Sequence, residues 1–437
     1  MLFVVKKLLM DLSVIIVSYN VRYFLDLCLS SVRKAAEGIN CEIFVVDNNS
    51  SDGSCLMVTR DYPEVKVLAN NENKGFAAAN NQAIKLASGK YILLLNPDTF
   101  IGEDAFRKCI KFMEGNADAG AMGVMMINGK GKFLPESRRG LPDPETAFYR
   151  ISGLSYLFPR SGKFNRYYLG DLDKTETHTA DVISGAFMFL RAEVVMKAGL
   201  PDESFFMYGE DIDYSYRILK EGFKNYYYPG VKILHFKGES TKKENIDFVV
   251  NFYKAMLIFV LKHYNNGNFK KMSLAIRAAI LFRAGLSVIK RFFKRLLLPL
   301  FKGITYLFRK RQAEARTAQQ VKTVIVSDTE GYKNVIKLLS PGNFATIVGR
   351  ISIDLEDPDK TNLGYIGNIN GIIKANRIKQ VIFTAGRMSS SGIIDSMSSI
   401  SDSRIMIRIA SANERFIISS GSFTTQDTKA SQSNTHK

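Results

Sequence analysis

The stretch YILLLNPDT, Tyr91 to Thr99, decides how this 437-residue chain is read. Tyr91 to Leu95 form an unbroken apolar run, the pattern of a strand buried on both faces in the middle of a parallel sheet. The run stops at Asn96, Pro97 and Asp98. A carboxylate is thereby placed at the C-terminal end of a central strand. That is the edge at which open α/β sheets bind ligands, because the loops leaving the strands diverge there. A plain turn accounts for Asn-Pro-Asp equally well on its own, so the neighbouring stretches carry the decision.

Working back toward the N-terminus, LSVIIVS (Leu12 to Ser18) is a second buried-strand pattern, ending at Tyr19 and Asn20 and followed by helical spacing over Tyr23 to Ala36. Cys41 to Val46 is a strand that runs into VDNNSSDGS, with a helix over Ser54 to Arg60. Val65 to Leu68 is a strand, NNENKG (Asn70 to Gly75) a loop, and Phe76 to Ala87 a helix. Strands alternating with helices imply right-handed crossovers and a mostly parallel sheet. Four polar clusters, Ser18 to Asn20, Asp47 to Asp52, Asn70 to Lys74 and Asn96 to Asp98, follow strands and so converge on one edge. Helix capping, about 1 kcal/mol per cap, explains one or two positions in each loop but not six in a row.

Beyond the central strand, the strand-like AMGVMMI leads into a long irregular stretch to Thr179 that contains Arg138, Arg139, Arg160 and Arg166. Loops of that length in a compact domain are usually functional lids or mobile segments. Asp181 to Arg191 reads as a strand with Gly185 in its middle, marking either a close ligand approach or a bulge. In FFMYGEDIDYSYRILKEG (Phe205 to Gly222) a helix over Ile212 to Glu221 has Glu210, Asp211 and Asp213 at its N-terminus. Favourable charge against the helix dipole, about 0.3–1 kcal/mol each, accounts for Asp213 better than for Asp211. Lys224 to Phe236 reads as strand, turn and strand, with His235 at a strand end. The other histidines fall in the long loop (His178), a basic segment (His263) and a polar tail (His436).

The net charge of +18 is concentrated: between Lys254 and Arg316 fifteen basic residues face one acid, Glu314. The longest uncharged runs there, Ala255 to Leu261 and Leu296 to Phe301, fall far short of the roughly 18 apolar residues that span a bilayer. Helices such as Leu274 to Phe308 are expected to lie on a membrane surface, each basic residue gaining about 1 kcal/mol against anionic headgroups, or else to pack as a helical hairpin on the preceding domain. No recognition module accompanies the charge, so no nucleic acid is expected. Cys28, Cys41, Cys55 and Cys109 have neither metal-ligand nor disulfide-framework spacing, which fits a reducing compartment. The apolar start MLFVVKKLLMD lacks a cleavage site, and Met10 is a second candidate start. After Gln312 to Gln320, the stretches VKTVIVSD, FATIVGRISI and KQVIFTAG indicate another α/β unit, without G-x-G-x-x-G. From Ser419 the chain is Ser/Thr-rich and is expected to be disordered.

Taken together, SVIIVSYN, VVDNNSSDGS, NKGFAAANN, LLLNPD, SGAFMFLR, FFMYGEDID and HFKGES resemble the family-2 glycosyltransferases of the GT-A fold, over roughly Asp11 to Ser240. Within that family they resemble the rhamnosyltransferase-like branch of bacterial surface-polysaccharide and lipopolysaccharide synthesis. The implied architecture is α/β: a GT-A doubly wound mixed, mostly parallel sheet over 11–247, basic amphipathic membrane-associating helices and a linker over 248–316, a smaller Rossmann-like α/β domain over 318–418, and a disordered tail over 419–437. That smaller domain weakly resembles the nucleotide-binding-like regulatory domain of polyprenyl-phosphate sugar transferases.

The resemblance implies a nucleotide-sugar donor, dTDP- or UDP-linked, held by Ser18, Tyr19, Asn20, Asp47, Asn49, Lys74, Gly75, Asn80, Asn96, Asp98 and Gly185. It implies Mg²⁺ or Mn²⁺ on Asp98 and His235, neutralising the departing diphosphate. The family often carries D-x-D where this chain has Asn96-Pro97-Asp98, one carboxylate fewer. Inverting transfer needs one base for the acceptor hydroxyl; Asp211 is the match and Glu210 the alternative. The acceptor is expected to be a lipid-linked glycan at the cytoplasmic face of a bacterial inner membrane, with the enzyme peripheral on anionic lipid. The chain has no Trp and therefore no Q-x-x-R-W signature of processive synthases, so addition of one or a few sugars is expected. The alternative is a non-catalytic membrane-bound scaffold that keeps the fold.

Overall fold

The computed structural model describes residues 10–238, 246–264, 281, 285, 321–339, 345–420 and 422–425. The first sheet begins with β1 (Met10–Ser18), α1 (Arg22–Ala35), β2 (Cys41–Asp47), α2 (Ser54–Asp61), β3 (Lys66–Ala69), α3 (Phe76–Leu86) and β4 (Gly89–Leu95). It continues with β5 (Thr99–Phe100), α4 (Ala105–Gly115), β6 (Ala119–Ile127), α5 (Pro144–Ile151), α6 (Leu154–Leu157), β7 (His178–Thr179), β8 (Phe187–Arg191), α7 (Ala192–Ala198), α8 (Glu210–Lys220) and β9 (Lys224–His235). The strand order is β3-β2-β1-β4-β8-β6-β9-β5, with β7 also on β9. β8, β5 and β7 run against the rest, so the sheet is mixed and mostly parallel.

The sheet is covered on both faces because its strands alternate. Leu12, Val14 and Ile16 of β1 pack under α1 with Leu25, Cys28, Leu29 and Val32, whereas Ile15 and Val17 meet Ala79, Ala83 and Ile84 of α3 and Tyr214 and Ile218 of α8. This is the period-two segregation of a buried strand, and it fixes the register. Ser18 stands beside Asp47 at the ends of β1 and β2, and Ile16 beside Leu95. The polar clusters therefore lie along one edge, as the sequence pattern requires.

Three expectations change. Lys224 to Phe236 is one strand, not two: Pro229 and Gly230 are absorbed as a bulge that shifts the pairing with β6 between Val124 and Met125. The strand expected from Asp181 begins only at Phe187, so Gly185 lies in the turn that leads into it. The tail expected to be disordered from Ser419 instead supplies β16 (below), because Phe416 to Ser419 needs a partner along its free edge and the β-branched threonines of the next segment suit a strand.

α9 (Ile246–His263), the start of the basic segment, packs on the unit built around the first sheet: Ala255 and Phe259 are buried with Phe205, against Leu141, Ile212 and Tyr216. Among the described residues no helix is long and apolar enough to cross a membrane. The helices expected over Leu274 to Phe308 lie outside the described residues, 281 and 285 excepted. The second unit comprises β10 (Val321–Val326), α10 (Thr329–Leu339), β11 (Ala345–Ser352), β12 (Asn362–Tyr365), α11 (Ile369–Ala375), β13 (Gln380–Thr384), α12 (Ser390–Ser399), β14 (Met406–Ala410), β15 (Phe416–Ser419) and β16 (Ser422–Thr425). Its sheet has the order β12-β11-β10-β13-β14-β15-β16.

Candidate active site

At the β1/β2 end of the edge, Ser18 and Asp47 are almost wholly buried. Asp47 Oδ2 accepts the Ser50 N–H at 2.8 Å, which folds the loop back over the strand end. Asp47 Oδ1 and Ser18 Oγ have no hydrogen-bond partner among the described residues. Buried polar atoms are nearly always satisfied, so this adjacent pair marks a place where another molecule's donors fit.

Around them Asn20 and Asn49 hold left-handed backbone (φ 54° and 67°). Asn20 ties the two loops together: its Oδ1 accepts the Ser51 N–H at 2.8 Å and its N–H donates to Ser50 Oγ. Tyr19, Asn49 and Lys74 are exposed beside the pair. Gly75 (φ 84°) is fixed by two contacts. Its carbonyl accepts from Asn48 Nδ2 at 3.1 Å, and a Cβ there would collide with the Phe206 backbone.

In the middle of the edge, Asp98 and His235 face each other, with Nε2 of His235 3.3 Å from Asp98 Oδ1. They are 3% and 6% exposed. The pairing is built by the backbone: Thr99 is in register with His235, and the Phe236 N–H donates to the Asp98 carbonyl at 2.9 Å. Asn96 Nδ2 is 3.5 Å from the same His235 nitrogen. One carboxylate and one imidazole from two elements suit a divalent cation that takes its remaining ligands from phosphate and water. Among the described residues no group of three or more acid, imidazole or thiol side chains is assembled for a metal.

Toward α8, Asp211 Oδ2 is 2.5 Å from Arg139 Nη2 and accepts the Gly185 N–H at 3.3 Å. The two side chains are 15% and 12% exposed. Left-handed Tyr208 and Gly209 (φ 70° and 82°) turn the chain sharply into α8 and aim its first carboxylates into the cleft. Burial raises the carboxyl of Glu210 to about 8, and the neighbouring Asp211 charge adds to that. Glu210 thus holds a proton at neutral pH. Asp213 belongs elsewhere: fully buried, it is held by Arg217, Lys262 and His263, the last at 2.7 Å. Burial acts to raise its carboxyl, but His263, Lys262 and Arg217 prevail and hold it at about 2. It anchors α9.

Asn80 and Gly185 sit on the Asp211 side: with Phe76, Glu210 and Asp211 they line a small cleft of about 260 Å³. Arg139 was legible only as one of several arginines in the long stretch, since nothing in its spacing points to Asp211. Arg138, next to it, is structural, donating to the Asp173 and Leu172 carbonyls. Beside the Arg139–Asp211 pair opens a groove of about 1110 Å³ walled by Tyr167, Tyr208, Phe252, Met256 and Phe259.

A doubly wound sheet that gathers buried carboxylates along its strand-end edge is the architecture of an α/β domain that binds its ligand at that edge. Residues 13–199 match the sequence model of Glycosyl transferase family 2. That stretch is a glycosyl transferase family 2 domain, and the activity it supports is glycosyl transfer. It is 24% identical over 288 residues to an N-acetylglucosaminyl-diphospho-decaprenol L-rhamnosyltransferase of Mycobacterium tuberculosis, spanning 63% of this chain and 92% of that relative. A low-salt glycan biosynthesis hexosyltransferase of Haloferax volcanii is 27% identical over 49% of this chain and 64% of its own. A mannosyltransferase structure from Pyrobaculum calidifontis, in complex with GDP-Man and Mn2+, has a TM-score of 0.41 at 15% identity, covering 68% of this chain and 83% of that one.

Proposed function

We propose that this chain moves a hexosyl group, with inversion, from a dTDP- or UDP-linked donor to a lipid-linked glycan acceptor in bacterial cell-surface glycan synthesis. One observation carries the reading. The turn at Gly185 and Ala186 joins the two chemical centres: the Ala186 carbonyl accepts the Asn96 N–H at 3.0 Å, and the Gly185 N–H donates to Asp211. The Asp98–His235 pair and Asp211 therefore flank one short turn, as donor diphosphate and attacking hydroxyl must flank one anomeric carbon.

In this reading Ser18 Oγ and Asp47 Oδ1 receive the donors of the nucleoside, and Lys74 and Asn49 line its approach. Asp98 and His235 hold Mg²⁺ or Mn²⁺, which when bound supplies neutralisation of the diphosphate charge. Arg139 orients Asp211. Asp211 takes the proton of the acceptor hydroxyl as that oxygen bonds to the anomeric carbon, and the carbon–oxygen bond to the diphosphate breaks on the opposite face. The nucleoside diphosphate carries away the electron pair.

The aromatic groove beside Asp211 suits the acceptor, since sugar faces and isoprenoid chains both bury well against rings. The decaprenol-linked acceptor in the mycobacterial relative's name supports a lipid-linked one here. The basic segment from Lys254 supports a peripheral position on anionic lipid at the cytoplasmic face. The test is calorimetric titration of the purified protein with UDP and dTDP, each with and without Mn²⁺. Mn²⁺-enhanced binding of one nucleotide is expected. A folded protein that binds neither under any condition would favour the non-catalytic scaffold instead.

A further inference from the structure

The second α/β unit is seated directly behind the loop that carries Asp98. Phe100, Ile127, Leu234 and Phe236, from the strands on either side of the Asp98–His235 pair, are buried in one apolar cluster with Ile393, Ile394 and Met397 of α12. Val21, Phe24 and Leu27 at the start of α1 join the same cluster, and the Tyr23 ring packs at 5.0 Å, tilted by 55°, on Phe416. The strand-end edge of the second sheet, where such a sheet would take a ligand of its own, is already engaged. Arg387 there pairs with Asp328, Glu330 and Glu414, and the Ala385 carbonyl accepts from Lys34 of α1 at 3.3 Å.

The tightest tie runs through Glu103. It lies five residues after Asp98, with only β5 and two further residues between. Its carboxylate accepts the backbone N–H groups of both Ser390 and Ser391 at the first turn of α12, the latter at 3.2 Å, and the Ser391 hydroxyl at 3.2 Å. Charge-assisted bonds to helix-terminal amides are among the stronger ones available. Next to it, Gly102 leaves no room for a side chain: a Cβ there would run into Ser391 Oγ, while the Ser391 Cβ stands 3.4 Å away.

We propose that the C-terminal α/β domain positions the Asp98–His235 pair by clamping the loop between Asp98 and Glu103 onto α12, so that this unit sets how well the catalytic domain holds the donor diphosphate and its cation. The inference rests on the reading of Asp98 and His235 as that site. Glu103 and Gly102 act through the loop and are positioning residues.

The test measures UDP and dTDP binding by calorimetry across a Mn²⁺ series in the full chain, in Gly102→Ala, in Gly102→Ala/Ser391→Ala and in Glu103→Gln. Removing Ser391 Oγ makes room for the new methyl, so the double variant should rescue the single one. Glu103→Gln replaces an accepting oxygen by an NH₂ facing the α12 donors. The half-saturating Mn²⁺ should rise about tenfold in Gly102→Ala and Glu103→Gln, a typical size for coupling between sites, and fall most of the way back in the double variant, which relieves the clash but gives up the Ser391 hydroxyl bond to Glu103. Metal-free nucleotide binding should be the same in all four. Parental Mn²⁺ dependence in folded Gly102→Ala and Glu103→Gln would overturn the proposal alone, as would equal loss of metal-free binding. Mn²⁺-independent binding by the parent would overturn it together with the metal site. Should Gly102→Ala not fold, Glu103→Gln, which adds no bulk, decides.

Discussion

Nη2 of Arg139 stands 2.5 Å from Oδ2 of Asp211, a contact between residues 72 apart in the chain. Both side chains are largely buried, so the guanidinium fixes the rotamer of the carboxylate. Arg139→Ala should lower kcat about 10²-fold, the scale of a misplaced catalytic group, while the donor KM stays within a few-fold. Arg139→Lys should recover only part, because an ammonium does not reproduce the planar fork. Steady-state kinetics with saturating acceptor separates the two parameters. A changed KM with unchanged kcat would place Arg139 on the donor instead.

Glu210 makes a pH prediction of unusual sign. Its folded carboxyl sits near 8, raised first by burial and then by Asp211, whereas in the unfolded chain it titrates as an ordinary carboxylate. The unfolded state therefore releases this proton first, and stability falls as pH rises from about 4.3 toward 8. Glu210→Gln, which keeps the neutral shape, should be more stable than the parent at pH 7.5 and equal to it at pH 4. Chemical denaturation at the two pH values checks this. Turnover at pH 6.5 should survive the substitution, since the parent side chain is already neutral there.

Asp213 behaves in the opposite way. His263, Lys262 and Arg217 outweigh burial and hold its carboxyl at about 2, so its contribution is full above the ordinary carboxylate range and is lost as pH falls from about 4 toward 2. Asp213→Asn leaves the cations Arg217 and Lys262 facing a neutral amide and should cost about 3–5 kcal/mol, the usual penalty for breaking a buried ion pair. Because Lys262 and His263 lie on α9, protease sensitivity of that helix should rise together with the loss. Thermal unfolding combined with limited proteolysis reads both effects. Unchanged α9 protection would mean that Phe259 and Ala255 hold the helix alone.

Most of the site was legible in the sequence because its parts lie where periodicity stops. Each buried strand advertises itself by an apolar run, and the polar residues that end Leu12–Ser18, Cys41–Val46 and Tyr91–Leu95 mark one edge without any knowledge of tertiary contacts. His235 was legible in the same way. What was hidden depends on pairing across long separations: Arg139 finds Asp211 from a stretch with no period, and Asp213 is claimed by a helix fifty residues on. The basic amphipathic pattern of α9 fits a lipid surface and a protein surface equally, and here its apolar residues meet Phe205 and Tyr216. Ser422–Thr425 reads as a polar tail because its order comes from β15, not from its own composition. Glu103 carries no signal of its own in the sequence, because its partners are supplied by a domain 287 residues away.

The assignment of Asp211 as the base is the claim on which the rest turns, and Asp211→Asn tests it with the loss of one charge and no change of shape. Donor turnover with the lipid-linked acceptor should fall by about 10²–10⁴-fold, the contribution of a positioned general base, while nucleotide affinity measured by calorimetry in the same preparation stays at the parental value. Turnover within a few-fold of the parent, with binding intact, would contradict the account and move the proton-accepting role to another group.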